Sequence, residues 1–100
     1  MGITVVRYTT KAEHADENQR LVEAVFAELA ETQPEGLKYA TFRLADGSFV
    51  HVAEVAGDVN PLTSVAAFAE FTSAVGSRCE PGQGPNPQPA TVVGSYGLLA

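Results

Sequence analysis

Hydrophobic and polar positions change period several times along the chain, and each change marks an element. Residues 3–8 form a short β-branched run bounded by Thr9-Thr10-Lys11, the pattern of a strand. Over about 13–32 the period becomes helical. Leu21, Val22, Val25, Phe26 and Leu29 fall on one side, and Arg20, Glu23, Glu28 and Glu31 on the other. Glu13, Asp16 and Glu17 suit the positive end of the helix dipole, and Gln33-Pro34-Glu35-Gly36 stops the helix. Residues 37–45 and 48–55 are β-rich and flank Asp46-Gly47, a strong hairpin signal because both turn positions tolerate positive φ. A two-residue loop pairs Ala45 with Ser48. That register sets Phe42 opposite His51, Arg43 opposite Val50, Thr41 opposite Val52 and Tyr39 opposite Glu54.

Beyond a connector at 56–60, Asn60-Pro61 opens a second helix, with Asn as the cap and Pro where its missing N–H costs nothing. Leu62, Val65, Phe68, Ala69, Phe71 and Val75 give that helix its apolar surface as far as about Ser77. Residues 76–90 read as a Gly/Pro-rich loop, and 91–98 as a final strand weakened at Gly94 and Gly97. No repeat or domain boundary interrupts 1–100, so the expected unit is a single domain. The order β-α-β-β-α-β predicts an α+β, ferredoxin-like fold: a four-stranded antiparallel sheet with both helices on one face.

Two helices cover a sheet only once, yet the two-residue register leaves both hairpin faces apolar. Ala40, Phe42, Leu44, Phe49, Ala53 and Val55 lie on one, and Tyr39, Thr41, Val50 and Val52 on the other. An uncovered face of this kind marks an interface. The expected arrangement is a homodimer, sheet against sheet, with a half-polar sheet facing water as the alternative.

Composition narrows the partners. Six Lys and Arg against twelve Asp and Glu give a net charge of -6, and the basic residues form no cluster, so neither nucleic acid nor an anionic membrane surface is an expected partner. No apolar run approaches the ~18 residues that span a membrane. Hydrophobic residues make up 45% of the chain, but 15 of them are Ala, leaving 30 to fill volume. Cys79 stands alone, which excludes an intrachain disulfide or a thiolate metal site. The first residues lack the basic and apolar regions of a secretory signal, and a cytoplasmic location is expected.

The strand Tyr39-Ala40-Thr41-Phe42-Arg43-Leu44, the turn Ala45-Asp46-Gly47 and the strand Phe49-Val50-His51-Val52 resemble the dimeric α+β barrel superfamily. So do Asn60-Pro61-Leu62 with Phe68 and Phe71, and the ending Pro89-Ala90-Thr91-Val92-Val93-Gly94-Ser95-Tyr96. Within that superfamily the chain is similar to the antibiotic-biosynthesis-monooxygenase-like proteins. The resemblance implies two ferredoxin-like subunits closing one barrel, and a ligand pocket between sheet and helices in each. In some members it implies cofactor-independent oxygenation of phenols or quinols. The haem-degrading branch uses an Asn–Trp–His set; this chain has no Trp, and neither His14 nor His51 falls on the second helix. No cofactor and no metal is expected.

Cofactor-free oxygenation asks for a donor near a phenolate and a base to take its proton. Arg43 is the candidate donor; its other reading is a solvated edge residue, or an ion pair with Glu54 or with an acid across the dimer. His51 is the histidine inside regular β-structure and a candidate base, or else a hydrogen-bonded core residue. Glu54, opposite Tyr39 in this register, is a candidate proton acceptor if desolvated. Tyr8, Tyr39 and Tyr96 can offer hydroxyls to a ligand, or else serve packing alone. His14 and Asn18 extend the apolar stripe of the first helix backwards, either to a pocket mouth or as a solvated first turn. The two readings of function are an aromatic-binding, cofactor-independent monooxygenase and a non-catalytic ligand-binding or structural homodimer.

Overall fold

The computed structural model describes residues 2–97. Strand β1 (Gly2–Thr9) leads through a 3-10 turn at Ala12–His14 into helix α1 (Ala15–Thr32). The hairpin β2 (Leu37–Arg43) and β3 (Ser48–Val55) follows. A second 3-10 turn (Pro61–Ser64), helix α2 (Ala66–Ser73), a short helix α3 (Val75–Arg78) and strand β4 (Asn86–Ala90) complete the order. All pairings are antiparallel, and the sheet order is β2-β3-β1-β4. This is the α+β, ferredoxin-like arrangement expected from the sequence. The core lies between one sheet face and the helices, where Tyr8 and Phe49 meet Val22 and Val25 of α1 and Phe71 of α2.

The apolar stripe of α1 behaves as its spacing requires, with Val22 and Val25 buried, and Asn18 buried beside them. Asn60 caps the following turn, its Oδ1 accepting from the Leu62 N–H at 2.9 Å. The second helix is not continuous. Val65 is extended (φ -92, ψ 114) and Ala74 departs from helical geometry (φ -137), so the segment splits in three. The first break lets Leu62 and Val65 both reach the core, at 3% and 5% exposure. Glu28 of α1 replaces the missing cap of α2, its carboxylate accepting from the Ala66 and Ala67 N–H groups at 3.1 and 2.9 Å. A negative group at a helix N-terminus satisfies orphan donors and complements the dipole.

Two further expectations are corrected. The hairpin loop has three residues, not two: Leu44 N–H donates to Ser48 O at 2.8 Å, and Gly47 N–H to Leu44 O at 3.1 Å. Gly47 takes φ +90, the position that a type I turn with an added bulge reserves for glycine. Asp46 Oδ1 accepts from the Ser48 N–H (2.9 Å) and from its hydroxyl, which fixes the turn. The register therefore slips by one, placing Thr41 opposite His51, Tyr39 opposite Ala53, Phe42 opposite Val50 and Lys38 opposite Glu54. A one-residue slip turns every side chain of a strand to the other face. Tyr39, Thr41 and Arg43 consequently join Phe49 and His51 on the helix side, while Ala40, Phe42 and Leu44 move to the open side.

The last strand also lies elsewhere. It is Asn86–Ala90, inside the stretch read as a loop, and 91–97 carry no strand; residue 98 lies outside the described residues. Proline is tolerated at a sheet edge, where its lack of an N–H spoils no ladder bond. Pro87 and Pro89 alternate along this edge strand, leaving the N–H groups of Asn86, Gln88 and Ala90 for pairing with β1.

Candidate functional site

The corrected register gathers polar side chains under the helices. A cavity of about 270 Å³ opens there, walled by Val6, Leu62, Phe68 and Phe71, with Pro85 and Pro87 on one side. Tyr8, Tyr39 and His51 give it its main polar lining. β1 presents Val6 and Tyr8 to this side by strand alternation, and β3 presents Phe49, His51 and Ala53.

His51 is 5% exposed and both of its ring nitrogens are engaged. Nε2 is hydrogen-bonded to Tyr8 Oη at 2.7 Å; Nδ1 is bonded to Tyr39 Oη at 2.6 Å and Thr41 Oγ1 at 3.1 Å. The chain of bonds continues inward. Asn18 Nδ2 donates to Tyr8 Oη at 2.9 Å, and Arg78 Nε donates to Asn18 Oδ1 at 3.0 Å. Arg78 also donates through Nη2 to the Phe71 carbonyl at 2.8 Å and lies 5.5 Å over the Phe71 ring. Its guanidinium, on a residue only 4% exposed, is thus held by an amide, a carbonyl and an aromatic face rather than by a carboxylate. Rings stack around the imidazole: Tyr8 at 5.3 Å and Phe71 at 5.3 Å between centroids.

Burial governs the titration of this cluster. Desolvation lowers the His51 imidazole to about 4, so the ring is neutral at pH 7. Desolvation raises the Tyr8 hydroxyl well above its usual value, against the opposing hydrogen bond from Asn18. Tyr39 is raised by the same cause, with Thr41 opposing. The arrangement offers neutral donors and acceptors, with a buried cation two residues removed through Asn18 and Tyr8.

Of the residues singled out from the sequence, His51, Tyr39 and Tyr8 line the cavity and Asn18 supports it from behind. The others lie elsewhere. Arg43 donates to Asp16 at 3.0 Å and Gln19 at 2.7 Å, at the rim of α1. Its ion-pair partner is thus Asp16 and not Glu54. Glu54 stands on the open face, 3.9 Å from Lys38. His14 pairs with Glu17 at 3.0 Å on an exposed turn. Tyr96 is fully exposed in the segment after β4. Two members of the network escaped the sequence reading of the site: Thr41 and Arg78. Thr41 becomes visible once strand alternation is combined with the true register. Arg78, in the short α3, carries no periodic signal. Among the described residues no cluster of three His, Cys, Asp or Glu could hold a metal ion. Among them, too, no helix is long and apolar enough to cross a membrane.

No protein-family model matches the chain, and no curated protein matches it. Solved structures do. A "putative antibiotic biosynthesis monooxygenase" from Nitrosomonas europaea superposes with a TM-score of 0.71 at 12% identity, over 93% of this chain and 99% of that one. The chain shares the fold of antibiotic-biosynthesis-monooxygenase-like proteins. A protein from Deinococcus radiodurans with the same description matches over 100% of both chains, at TM-score 0.65 and 16% identity. A further antibiotic biosynthesis monooxygenase matches at TM-score 0.64 and 18% identity, over 94% of this chain and 100% of its own. The antibiotic-biosynthesis-monooxygenase-like fold therefore extends over essentially the whole chain.

Proposed function

We propose that this chain forms a homodimeric α+β barrel in which each subunit binds an aromatic small molecule between sheet and helices and oxygenates it without a cofactor. The observation that carries this reading is the cavity of about 270 Å³, aromatic and aliphatic on most sides, with Tyr8, Tyr39 and His51 converging in it. Small-molecule sites have this character: concave, largely apolar, with few placed polar groups. The solved structures sharing the fold are described as monooxygenases, which supports the same reading. The dimer is supported by the open sheet face, where Phe42 and Leu44 remain 45% and 37% exposed beside Val50 and Val52. A buried Cys79 without a disulfide partner suits a reducing, cytoplasmic setting.

An anthrone-type substrate makes the reaction explicit. The ring methylene loses its two hydrogens and gains one oxygen atom as a carbonyl, while the second atom of dioxygen leaves as water. The substrate supplies all four electrons, so no reductant is required. The protein's part is to hold the phenol or its anion against tyrosine hydroxyls in a site poor in water.

A second reading, ligand binding without turnover, is favoured by one observation. Among the described residues no charged side chain lines the cavity, and an imidazole lowered to about 4 is a weak base at neutral pH. Oxygen uptake with a panel of hydroquinones and anthrones, run beside calorimetric binding, separates the two. Turnover predicts uptake above the buffer control that falls at least about tenfold in His51→Gln. Binding heat with no oxygen uptake selects the second reading, and the absence of both refutes the ligand site itself.

A further inference from the structure

We propose that Arg78 is a positioning residue that acts through Asn18 and Tyr8 to fix which nitrogen of His51 carries the proton, making the cavity a hydrogen-bond donor to its ligand. The direction follows from what each group can do. A guanidinium has donors only. Arg78 Nε, 3.0 Å from the Asn18 amide, therefore requires the amide oxygen on its side. That turns Asn18 Nδ2 towards Tyr8 Oη, 2.9 Å away, and makes the tyrosine an acceptor there. Tyr8 has one hydrogen left to place, and His51 Nε2 lies 2.7 Å from its oxygen. Donation to Nε2 completes the hydroxyl as acceptor and donor at once. The reverse arrangement would aim two donors at one oxygen and leave the hydroxyl hydrogen with neither Asn18 nor His51 to accept it.

With Nε2 accepting, the ring proton of neutral His51 sits on Nδ1. It is then donated towards Tyr39 Oη at 2.6 Å and Thr41 Oγ1 at 3.1 Å. Both hydroxyls receive from the imidazole, so their own hydrogens turn away from it, and Tyr39 lines the cavity. A ligand oxygen that accepts, such as a carbonyl or a phenolate, fits that hydroxyl. The chain of bonds is shielded from competing water, since Asn18 is 0% and Arg78 4% exposed. Bonds that all point one way also reinforce one another.

The tautomer half of the inference needs no ligand; only the statement about the ligand's oxygen rests on the proposed function. The test is a long-range ¹H–¹⁵N spectrum of the histidine-labelled, ligand-free protein at pH 7. His14 and His51 are the two histidines of the chain, and His14→Gln assigns them. The expected result is His51 protonated on Nδ1 and bare on Nε2. Asn18→Asp should then reverse it. A carboxylate accepts from both Arg78 and Tyr8, which draws the Tyr8 hydrogen away and leaves His51 to donate through Nε2. The protonated and bare signals should exchange nitrogens. Wild-type protein with its proton on Nε2, a doubly protonated ring, or an unchanged tautomer in folded Asn18→Asp would each overturn the proposal. The wild-type spectrum decides even where the variant does not fold. A correct tautomer in a protein that binds no aromatic ligand would count against the proposed function and leave the relay standing.

Discussion

The two faces of the sheet invert the ordinary association of polar with exposed. The helix side carries Asn18, His51 and Arg78 at 0%, 5% and 4% exposure, each hydrogen-bonded to its neighbours. The open side carries Phe42 and Leu44 at 45% and 37%, with Val50 and Val52 half-buried beside them. The difference teaches that partners, more than polarity, decide where a side chain can rest. Buried polar groups are stable where every donor finds an acceptor, as here, where no described buried side-chain nitrogen or oxygen lacks one. An apolar face has no such remedy within its own chain, and only another surface can cover it.

The largest expected effect attacks the open face. Val52→Glu places a charge at its centre, opposite Ala40 in the neighbouring strand, without touching the helix side. Sedimentation at micromolar concentration should give wild-type protein at twice the chain mass and Val52→Glu at the chain mass, with an unchanged circular dichroism spectrum. A wild-type monomer under those conditions removes the dimer from the account altogether.

The next effect belongs to the polar face and depends on pH. His51 is lowered to about 4 in the folded chain from an ordinary 6.5, so the unfolded chain takes up the proton first as pH falls. The contribution is present in full above the unfolded value and is lost as pH drops from 6.5 towards 4, by about 3 kcal/mol in all. Urea unfolding at pH 7 and pH 4.5 should show wild type losing most of that amount. His51→Gln, which cannot titrate, should lack this part of the loss. Equal losses in the two proteins would mean that the imidazole is not held neutral by burial.

How much of this contrast was legible in the sequence depends on one turn. The element order, the placement of both helices on one sheet face and the Asn60 cap all follow from spacing and cap chemistry. The hairpin register does not, because Asp-Gly suits two loops. Both glycine positions take positive φ, and the choice of a three-residue loop rests on the Leu44 and Gly47 bonds that only the folded turn displays. That single residue decided which face received Tyr39, Thr41 and Arg43. His51 and Tyr39 were each recognisable as chemistry, but on opposite sides of the sheet, and their 2.6 Å contact was invisible. β4 was hidden for another reason: Pro87 and Pro89 read as loop, and only an edge position makes them compatible with a strand. Arg78 joins the network across 60 residues from Asn18, a separation that no local pattern reports.

The smallest effect tests the register directly through Arg43. Under the two-residue loop this guanidinium would stand on the open face, available to a ligand inside a barrel or to an acid across the dimer. In the observed register it lies at the helix-side rim, 5.7 Å over the Phe49 ring and bonded to Asp16 and Gln19. Its side chain is 39% exposed and that of Asp16 80%, so solvent screens most of the attraction. Exposed pairs of this kind contribute about 0–1 kcal/mol. Arg43→Ala should therefore lower stability by less than about 1 kcal/mol and leave both the dimer and aromatic binding within about twofold of wild type. A tenfold loss of binding with stability intact would mean that ligand meets Arg43, and that the site lies on the open face after all.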